Sequence, residues 1–155
     1  MAIKIPKSNI NLKAVELISL SDDAVDVEKS DYEEYIETLS EKHLCLTKQP
    51  SRFILNLEVK GKEAQSLKNS MLKTRDDEGK PTMSYGSYSF ELAKMVLKDI
   101  THPEGETDCI QFQKGRDGNP SDDLLALLDR IGVVGEIMSV YSRHVLNPTR
   151  AEAKN

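Results

Sequence analysis

Two histidine–cysteine groupings contain the first residues in this sequence whose types could do chemistry. His43 and Cys45 form an H-x-C pair, and His102 is followed by Cys109 after six intervening residues. Zinc sites favour close pairs such as C-x-x-C, which the sequence lacks. A Cys–His nucleophile pair needs only to meet in space, but no local signature marks either cysteine. We therefore favour ordinary packing or surface roles, and expect no catalytic residue, no cofactor and no metal ligand.

The glycine-containing stretch GRDGNP, at residues 115–120, could cradle a phosphate beside its arginine. It lacks the spacing and the lysine of a P-loop. The wider stretch KGRDGNPSDD lacks the alternating oxygen ligands and the closing glutamate of a calcium loop. A tight turn is the favoured interpretation. Three acid pairs lie in polar segments or at a helix start, where solvation explains them without acid–base catalysis: Asp22–Asp23, Asp76–Asp77 and Asp122–Asp123.

The charge of the chain is unevenly distributed. The 155 residues carry a formal net charge of −5, yet ten acidic residues and one basic residue lie between Val15 and Glu41. A solvated face with a loop is the favoured interpretation of this stretch, and a patch that docks a basic surface is the alternative. The negative charge, the 5% aromatic content and the absence of tryptophan argue against a nucleic-acid partner.

Membrane insertion and secretion are not expected. No apolar run approaches the length of about 18 residues that a membrane span requires. The first twenty residues lack the long apolar core and the small-residue cleavage site of a secretory signal. Two cysteines far apart in sequence fit a cytosolic protein with reduced thiols.

The spacing of apolar residues predicts an α+β fold, mainly helical with one short strand or hairpin. Residues 1–29 are expected to form an acidic, partly flexible and extended arm, residues 30–146 a helical domain, and residues 147–155 a tail. The segment NLKAVELISL is too brief to assign to helix or strand. RFILNLEV, residues 52–59, alternates apolar and polar side chains and is the clearest strand. CIQF, residues 109–112, is a candidate for a second strand.

Four helices are predicted with their caps and inward faces. Ser30 and Glu33 form a capping box at the start of the first helix, whose apolar stripe is Tyr32, Tyr35, Ile36, Leu39 and His43. A second helix covers residues 62–74, with Ala64, Leu67, Met71 and Leu72 facing inward. Ser84 or Ser87 caps a third, which is apolar on most faces and ends at Pro103; its inward residues are Tyr88, Phe90, Leu92, Ala93, Met95, Val96, Leu97 and Ile100. Ser121 caps the fourth.

Three segments carry recognisable motifs: RFILNLEVKGKEAQSLKNSML, DDEGKPTMSYGSYSFELAKMVLKDITHPE and LLALLDRIGVVGEIMSVYSRHVL. The second has a D-x-x-G-x-P turn and a tyrosine-started apolar helix, at Asp76, Gly79, Pro81, Tyr88, Leu92 and Pro103. The third has paired leucines and a Gly–Glu step, at Leu124, Leu125, Gly135 and Glu136. Together the three segments resemble the small tail assembly chaperones of tailed bacteriophages. Val134 stands where the family has proline, CIQFQKGRDGNP has no counterpart, and the first 50 residues are not covered.

The resemblance implies a non-enzymatic role in the host cytoplasm. Such chaperones bind the long helical tape measure protein, keep it soluble, help recruit tail tube protein, and leave before the virion is complete. The alternative is a structural tail or head–tail joining protein that stays in the particle. Neither function implies a cofactor.

The region from Leu124 to Val145 holds more apolar residues than one helical stripe needs. An exposed apolar patch usually marks an interface, so we expect part of this segment to bind the tape measure protein or to self-associate. The alternative is that the whole segment is core. The expected partner-binding residues are Leu128, Ile131, Val134, Ile137 and Tyr141.

Overall fold

A computed structural model describes residues 11–72, 74–75, 81–82 and 85–146 of the protein. Within these residues, five α-helices accompany a three-stranded antiparallel sheet and a two-stranded one, which confirms the predicted α+β class. The helices are α1 Lys29–Thr38, α2 Lys62–Leu72, α3 Tyr85–Val96, α4 Asp122–Arg130 and α5 Val133–Tyr141. The strands are β1 Val15–Leu17, β2 Arg52–Leu55, β3 Thr74–Arg75, β4 Pro81–Thr82 and β5 Leu97–Thr101. A 3₁₀ turn covers Glu41–His43, and a π-helical turn, Ser142–Leu146, follows α5.

The central strand β2 is the strand that the sequence predicts most clearly. Phe53 and Leu55 point into the core, as does Leu57 just beyond the strand. Both neighbours of β2 run antiparallel to it, in the order β1–β2–β5. Its position in the middle of the sheet explains why one apolar face is continuous along it.

The third predicted helix is too long, because residues 97–101 form β5 instead. In the structure α3 ends at Val96. β5 then pairs with β2, so that Thr101 lies opposite Arg52 and Ile100 opposite Phe53. Leu97 and Ile100 are buried, as the predicted helix also required. Their segment is nevertheless a strand, because its backbone hydrogen-bonds to β2. The predicted strand at residues 109–112 is wrong, since that stretch has no regular secondary structure. The strands that flank β2 in the sheet are β1 and β5, not residues 109–112.

The predicted boundary between an arm and a domain at residue 29 does not hold. Val15 and Leu17 of β1 are buried, and so are Ile18 and Ala24 in the connection to α1. β1 pairs with β2 along its whole length. Residues 15–24 therefore belong to the folded domain, while residues 1–10 and the tail at 147–155 lie outside the described part.

The predicted helix starts are right for α4 and wrong for α1. The Ser121 side chain accepts a hydrogen bond from Leu124 N at 3.2 Å and caps α4. α1 begins one residue before Ser30 and takes Glu28 as its N-cap, with no side-chain cap bond. α3 begins at Tyr85, which places Ser87 inside the helix rather than at its cap. Ser84, the other predicted cap, lies outside the described residues.

The inward faces are mostly as predicted. Tyr32, Tyr35 and Ile36 of α1, Leu67 of α2, and Leu92 of α3 are buried. Ala64 is exposed, contrary to prediction, because residues 62–66 at the start of α2 all face solvent. The side chains of Met71 and Leu72 lie outside the described part of the chain. β3 pairs with β4 across the predicted turn RDDEGKPT, whose middle residues are also outside it.

Candidate functional site

The apolar segment of α4 and α5 was expected to expose a partner-binding patch, and the structure buries it. Leu128 and Ile137 have 0% of their surface exposed, Val134 has 1% and Tyr141 has 8%. Ile131 is half-buried at the end of α4. The expectation of an exposed patch is therefore wrong for four of the five residues. The alternative considered with it, that the segment is core, describes them.

The burial follows from how the two helices are joined and packed. Gly132 links α4 to α5 with a φ of 87°, a left-handed conformation that glycine adopts without steric cost. α5 then packs against α3, α4 and α1. An apolar surface covered from three sides needs more than one apolar stripe, which accounts for the excess of apolar residues in the sequence.

Glu136 of α5 is the centre of a polar network inside the fold. Its Oε1 accepts a hydrogen bond from Ser19 Oγ at 2.6 Å, and its Oε2 accepts one from the backbone N of Leu20 at 3.0 Å. The hydroxyl of Tyr32 lies beside the same carboxylate. Burial raises the pKa of Glu136, and the hydrogen bonds from Ser19 and Leu20 oppose that rise. The Gly–Glu step singled out by the resemblance thus anchors the chain that follows β1.

Two tyrosines of α1 hold the same stretch of backbone. Tyr32 Oη donates to Ile18 O at 2.8 Å. Tyr35 Oη accepts from Ile18 N at 2.9 Å and donates to Glu16 O at 3.3 Å. Burial raises the pKa of Tyr32, and it raises the pKa of Tyr35 to about 12. Both hydroxyls therefore stay protonated, as buried hydrogen-bond donors should.

The sequence gives little sign of this network. Tyr32 and Tyr35 stand out as part of an apolar stripe, not as donors. Ser19 and Glu136 are 117 positions apart and belong to no motif of their own. A single acidic residue in a mostly apolar helix is the signal from which an internal partner could have been inferred.

The outer side of α1 is an exposed acidic face, defined here as Glu28, Asp31, Glu33 and Glu34. All four side chains are exposed, whereas Tyr32, Tyr35 and Ile36 turn inward. The predicted acidic stretch thus groups four of its carboxylates, three on α1 and Glu28 at its N-cap, while others lie elsewhere. Asp22, for example, accepts from the backbone N of Ala24 at 2.9 Å and of Ser51 at 2.8 Å, which is a structural role.

The π-helical turn after α5 docks on the C-terminal half of α1. Arg143 Nη1 donates to Glu33 O at 3.0 Å, and His144 Nε2 lies 2.9 Å from Ile36 O, to which it donates. Ile36 O is among the carbonyls that a helix end leaves without an intrahelical partner. Leu146, at the end of this turn, is 49% exposed and is the one large hydrophobic side chain so exposed among the described residues.

His102 uses both ring nitrogens within the fold. Nε2 lies 2.6 Å from Ile110 O, and Nδ1 lies 2.7 Å from Ser51 Oγ. A carbonyl oxygen can only accept, so Nε2 carries the proton and Nδ1 accepts from the serine hydroxyl. His102 therefore ties residues 102–110 to the start of β2. Cys45 is exposed and Cys109 half-buried, and within the described ranges no three His, Cys, Asp or Glu residues are grouped to hold a metal.

An open cleft of about 600 Å³ lies beside His102, between the start of β2 and the end of β5. Its cations are Lys48 and Arg52, and both already have acidic partners. Lys48 Nζ lies 3.1 Å from an oxygen of Asp23, and Arg52 Nη2 lies 2.9 Å from an oxygen of Glu41. A bound anion would have to displace these pairs, so the cleft is not an evident phosphate site.

The stretch GRDGNP forms the tight turn that the sequence predicts. Gly115 N donates to Asn119 O at 2.7 Å, and Lys114 bridges Pro120 in an antiparallel pair. No phosphate nest or calcium loop was expected there. Lys94 Nζ lies 3.5 Å from Asp117 and 3.8 Å from Asp122.

No helix in the described ranges combines the length and the apolar character needed to cross a bilayer. Comparison of the chain with protein-family models, with curated proteins and with solved structures finds no match.

Proposed function

We propose that the protein is a non-enzymatic tail assembly chaperone of a tailed bacteriophage, acting in the host cytoplasm. It binds the tape measure protein while the tail tube protein polymerises around that filament. The observation that carries the proposal is the packing of the three segments on which the resemblance rests. α2 contacts α3, and α3 contacts α4 and α5, so helices from the three segments pack against one another.

The acidic face of α1 is the surface proposed to bind the partner. The apolar residues of α4 and α5 are buried and do not offer a groove in this conformation. The acidic face is exposed and lies on a helix whose other side is fixed by Tyr32 and Tyr35, so the charges sit on a rigid support. A helical partner with a basic stripe would match it, and charge complementarity of this kind gives orientation and a fast association rate.

Co-expression tests the proposal. The partner in this test is a tape measure protein, for which the proposal expects a gene for a long helical protein immediately downstream. The expected result is that the chain co-purifies with that protein and keeps it soluble. The double variant Asp31→Lys/Glu34→Lys should lose co-purification while keeping the wild-type melting temperature. Glu63→Lys, at an exposed acid in the first turn of α2, is the matched control and should bind as the wild type does.

Two results would contradict the proposal in different ways. If the double variant binds like the wild type, the acidic face is not the contact surface. If the wild-type chain neither co-purifies with the downstream protein nor changes its solubility, the chaperone function itself is wrong. The protein composition of purified virions adds a separate test, because a chaperone is absent from the particle and a structural tail or joining protein is present.

A further inference from the structure

The sequence contains a single Asp–Gly dipeptide, Asp117–Gly118, and no Asn–Gly. Glycine has no Cβ, so its backbone nitrogen is the least shielded of any residue for attack on the preceding side chain. When that nitrogen reaches the aspartic carboxyl carbon, the backbone cyclises and can reopen as isoaspartate. The dipeptide therefore has an intrinsic reactivity that its surroundings either permit or suppress.

In the folded loop, the attacking nitrogen, Gly118 N, is engaged in a hydrogen bond. Gly118 N donates a hydrogen bond to Gly115 O at 3.2 Å, and the φ of Gly118 is 82°. A second hydrogen bond, from Gly115 N to Asn119 O at 2.7 Å, closes the base of the turn. To attack, Gly118 N must give up its acceptor, and the turn must change its backbone conformation.

The folded loop also holds the electrophile in its unreactive form. Asp117 Oδ1 accepts from Asn119 N at 3.1 Å, Oδ2 accepts from Asn119 Nδ2 at 3.3 Å, and Lys94 Nζ lies 3.5 Å from Oδ2. The backbone hydrogen bond from Asn119 and the charge of Lys94 lower the pKa of the Asp117 carboxyl. Ring closure expels hydroxyl as water and so requires the neutral acid, whose fraction falls about tenfold for each unit by which a pKa is lowered.

We propose that Asp117–Gly118 is a modification site at which the chain forms isoaspartate when the loop opens, and that Asn119 and Lys94 hold the reaction off in the folded state. In the open loop, Gly118 N bonds to Cγ of Asp117, and the amide proton leaves with the carboxyl hydroxyl as water. The resulting succinimide takes up water at one of its two carbonyls. Cleavage of the C–N bond at Cγ restores aspartate, and cleavage at the backbone carbonyl leaves isoaspartate.

The modified loop cannot return to the original pairing. Isoaspartate routes the main chain through Cγ and adds one methylene, so Gly115 N and Asn119 O no longer stand opposite each other. Ser121, the cap of α4, comes directly after this turn and donates its backbone N to Gln113 O at 2.8 Å. Isomerisation is thus expected to release the start of α4.

The test ages the full-length protein near neutral pH, with and without denaturing urea. Isoaspartate is measured by enzymatic methylation of the intact chain and by loss of Asp-N cleavage before residue 117. The rate in urea should exceed the native rate severalfold, because unfolding frees Gly118 N from Gly115 O and removes the contacts that lower the pKa of Asp117. In the native state, Asn119→Ala and Lys94→Ala should age faster than the wild type. The matched control Lys98→Ala, at an exposed lysine of β5, should age at the wild-type rate.

Global unfolding must be separated from loop opening, so the urea midpoint of each variant is measured in parallel. Faster ageing of Asn119→Ala at an unchanged midpoint supports the proposal. Absence of isoaspartate at residue 117 in urea, or equal native and urea rates, overturns it. Rates that follow only the global midpoint also overturn it, because the local contacts would then not be what protects the site.

Discussion

The carboxylate of Glu136 lies 2.6 Å from the hydroxyl of Ser19, a direct bond between α5 and the chain that follows β1. The fold closes its N-terminal stretch onto its last helix through this bond and the neighbouring one to Leu20 N at 3.0 Å. Glu136 is partly buried, and removing a carboxylate from water is costly unless hydrogen bonds replace its hydration. The stability of the domain should therefore depend on the protonation of this one group.

Stability should fall as the pH rises through the range in which Glu136 titrates. The folded-state pKa of Glu136 is raised above the ordinary value of 4.5, chiefly by burial. The fold therefore favours the protonated acid, and this contribution is complete below pH 4.5 and is lost as the pH rises through the folded-state value. Each unit of the shift corresponds to about 1.4 kcal/mol. Urea unfolding across this pH range measures the loss.

Glu136→Gln is the control for this pH dependence, because glutamine keeps the shape of the neutral acid and cannot ionise. Asp23 and Asp117 have lowered pKa values and give an opposite slope at acid pH, but they are present in both proteins. The difference between the two stability curves should therefore show the Glu136 titration alone. Parallel curves would contradict the assignment.

Leu92→Asp should unfold the protein. Leu92 is 0% exposed at the centre of α3, so the substitution buries an unpaired charge at a cost on the order of several kcal/mol, a large part of the stability of a small domain. Leu146→Asp is a matched control, since Leu146 is 49% exposed. Circular dichroism melting should show a loss of the transition in the first variant and little change in the second.

Ile137→Ser should destabilise the fold by at least about 2 kcal/mol, the lower end for truncating a buried isoleucine. Ile137 is fully buried in α5, so its effect on partner binding should appear only together with unfolding. Half-buried Ile131→Ser is the comparison and should cost less. A stable Ile137→Ser protein that has lost co-purification would instead restore the interface first expected for this segment.

Ser121→Ala should lower the free energy of unfolding by about 1 kcal/mol, the usual cost of removing a helix N-cap. Ser121 accepts from Leu124 N, so its replacement leaves that amide without its partner. Ser30→Ala provides the contrast, because Ser30 lies inside α1 and makes no cap bond. Equal effects in urea unfolding would show that the cap of α4 contributes nothing specific.

Protein purified without a metal-binding tag should contain no stoichiometric zinc or iron. The physical reason is that His102 has both ring nitrogens in hydrogen bonds, to Ser51 and to Ile110, and offers no free electron pair. Elemental analysis checks the prediction. One metal equivalent per chain would require His102 to leave both partners, and the unfolding transition should then shift when a chelator is added.

Local patterns in the sequence were enough to predict some elements. β2 is readable because its alternation matches its position as the middle strand, and α4 because Ser121 and two acids mark its start. β5 could not be read, because Leu97 and Ile100 fit a helical face as well as a strand. Only pairing with β2, more than 40 residues earlier in the chain, decides between them.

The candidate sites were harder to predict than the elements, for a related reason. The apolar residues of α5 were recognised, but whether they are covered depends on α1 and α3, which no local pattern reveals. The exposure of the acids in α1 was expected from their charge. The hydrogen bond between Ser19 and Glu136 could not be predicted, because residues 117 positions apart form no local sequence pattern.

The direct junction between α3 and β5 makes the two elements one mechanical unit. Val96 ends the helix and Leu97 begins the strand, with no loop residue between them, and Asn56 N donates to Val96 O at 2.8 Å. Because no loop separates the two elements, a rotation of α3 about its axis must also twist β5 at the edge of the sheet. One residue inserted after Val96 would reverse the faces of β5, turning Ile100 to solvent and Asp99 to the core. A change of chain length at this junction should therefore destabilise the helix and the strand together.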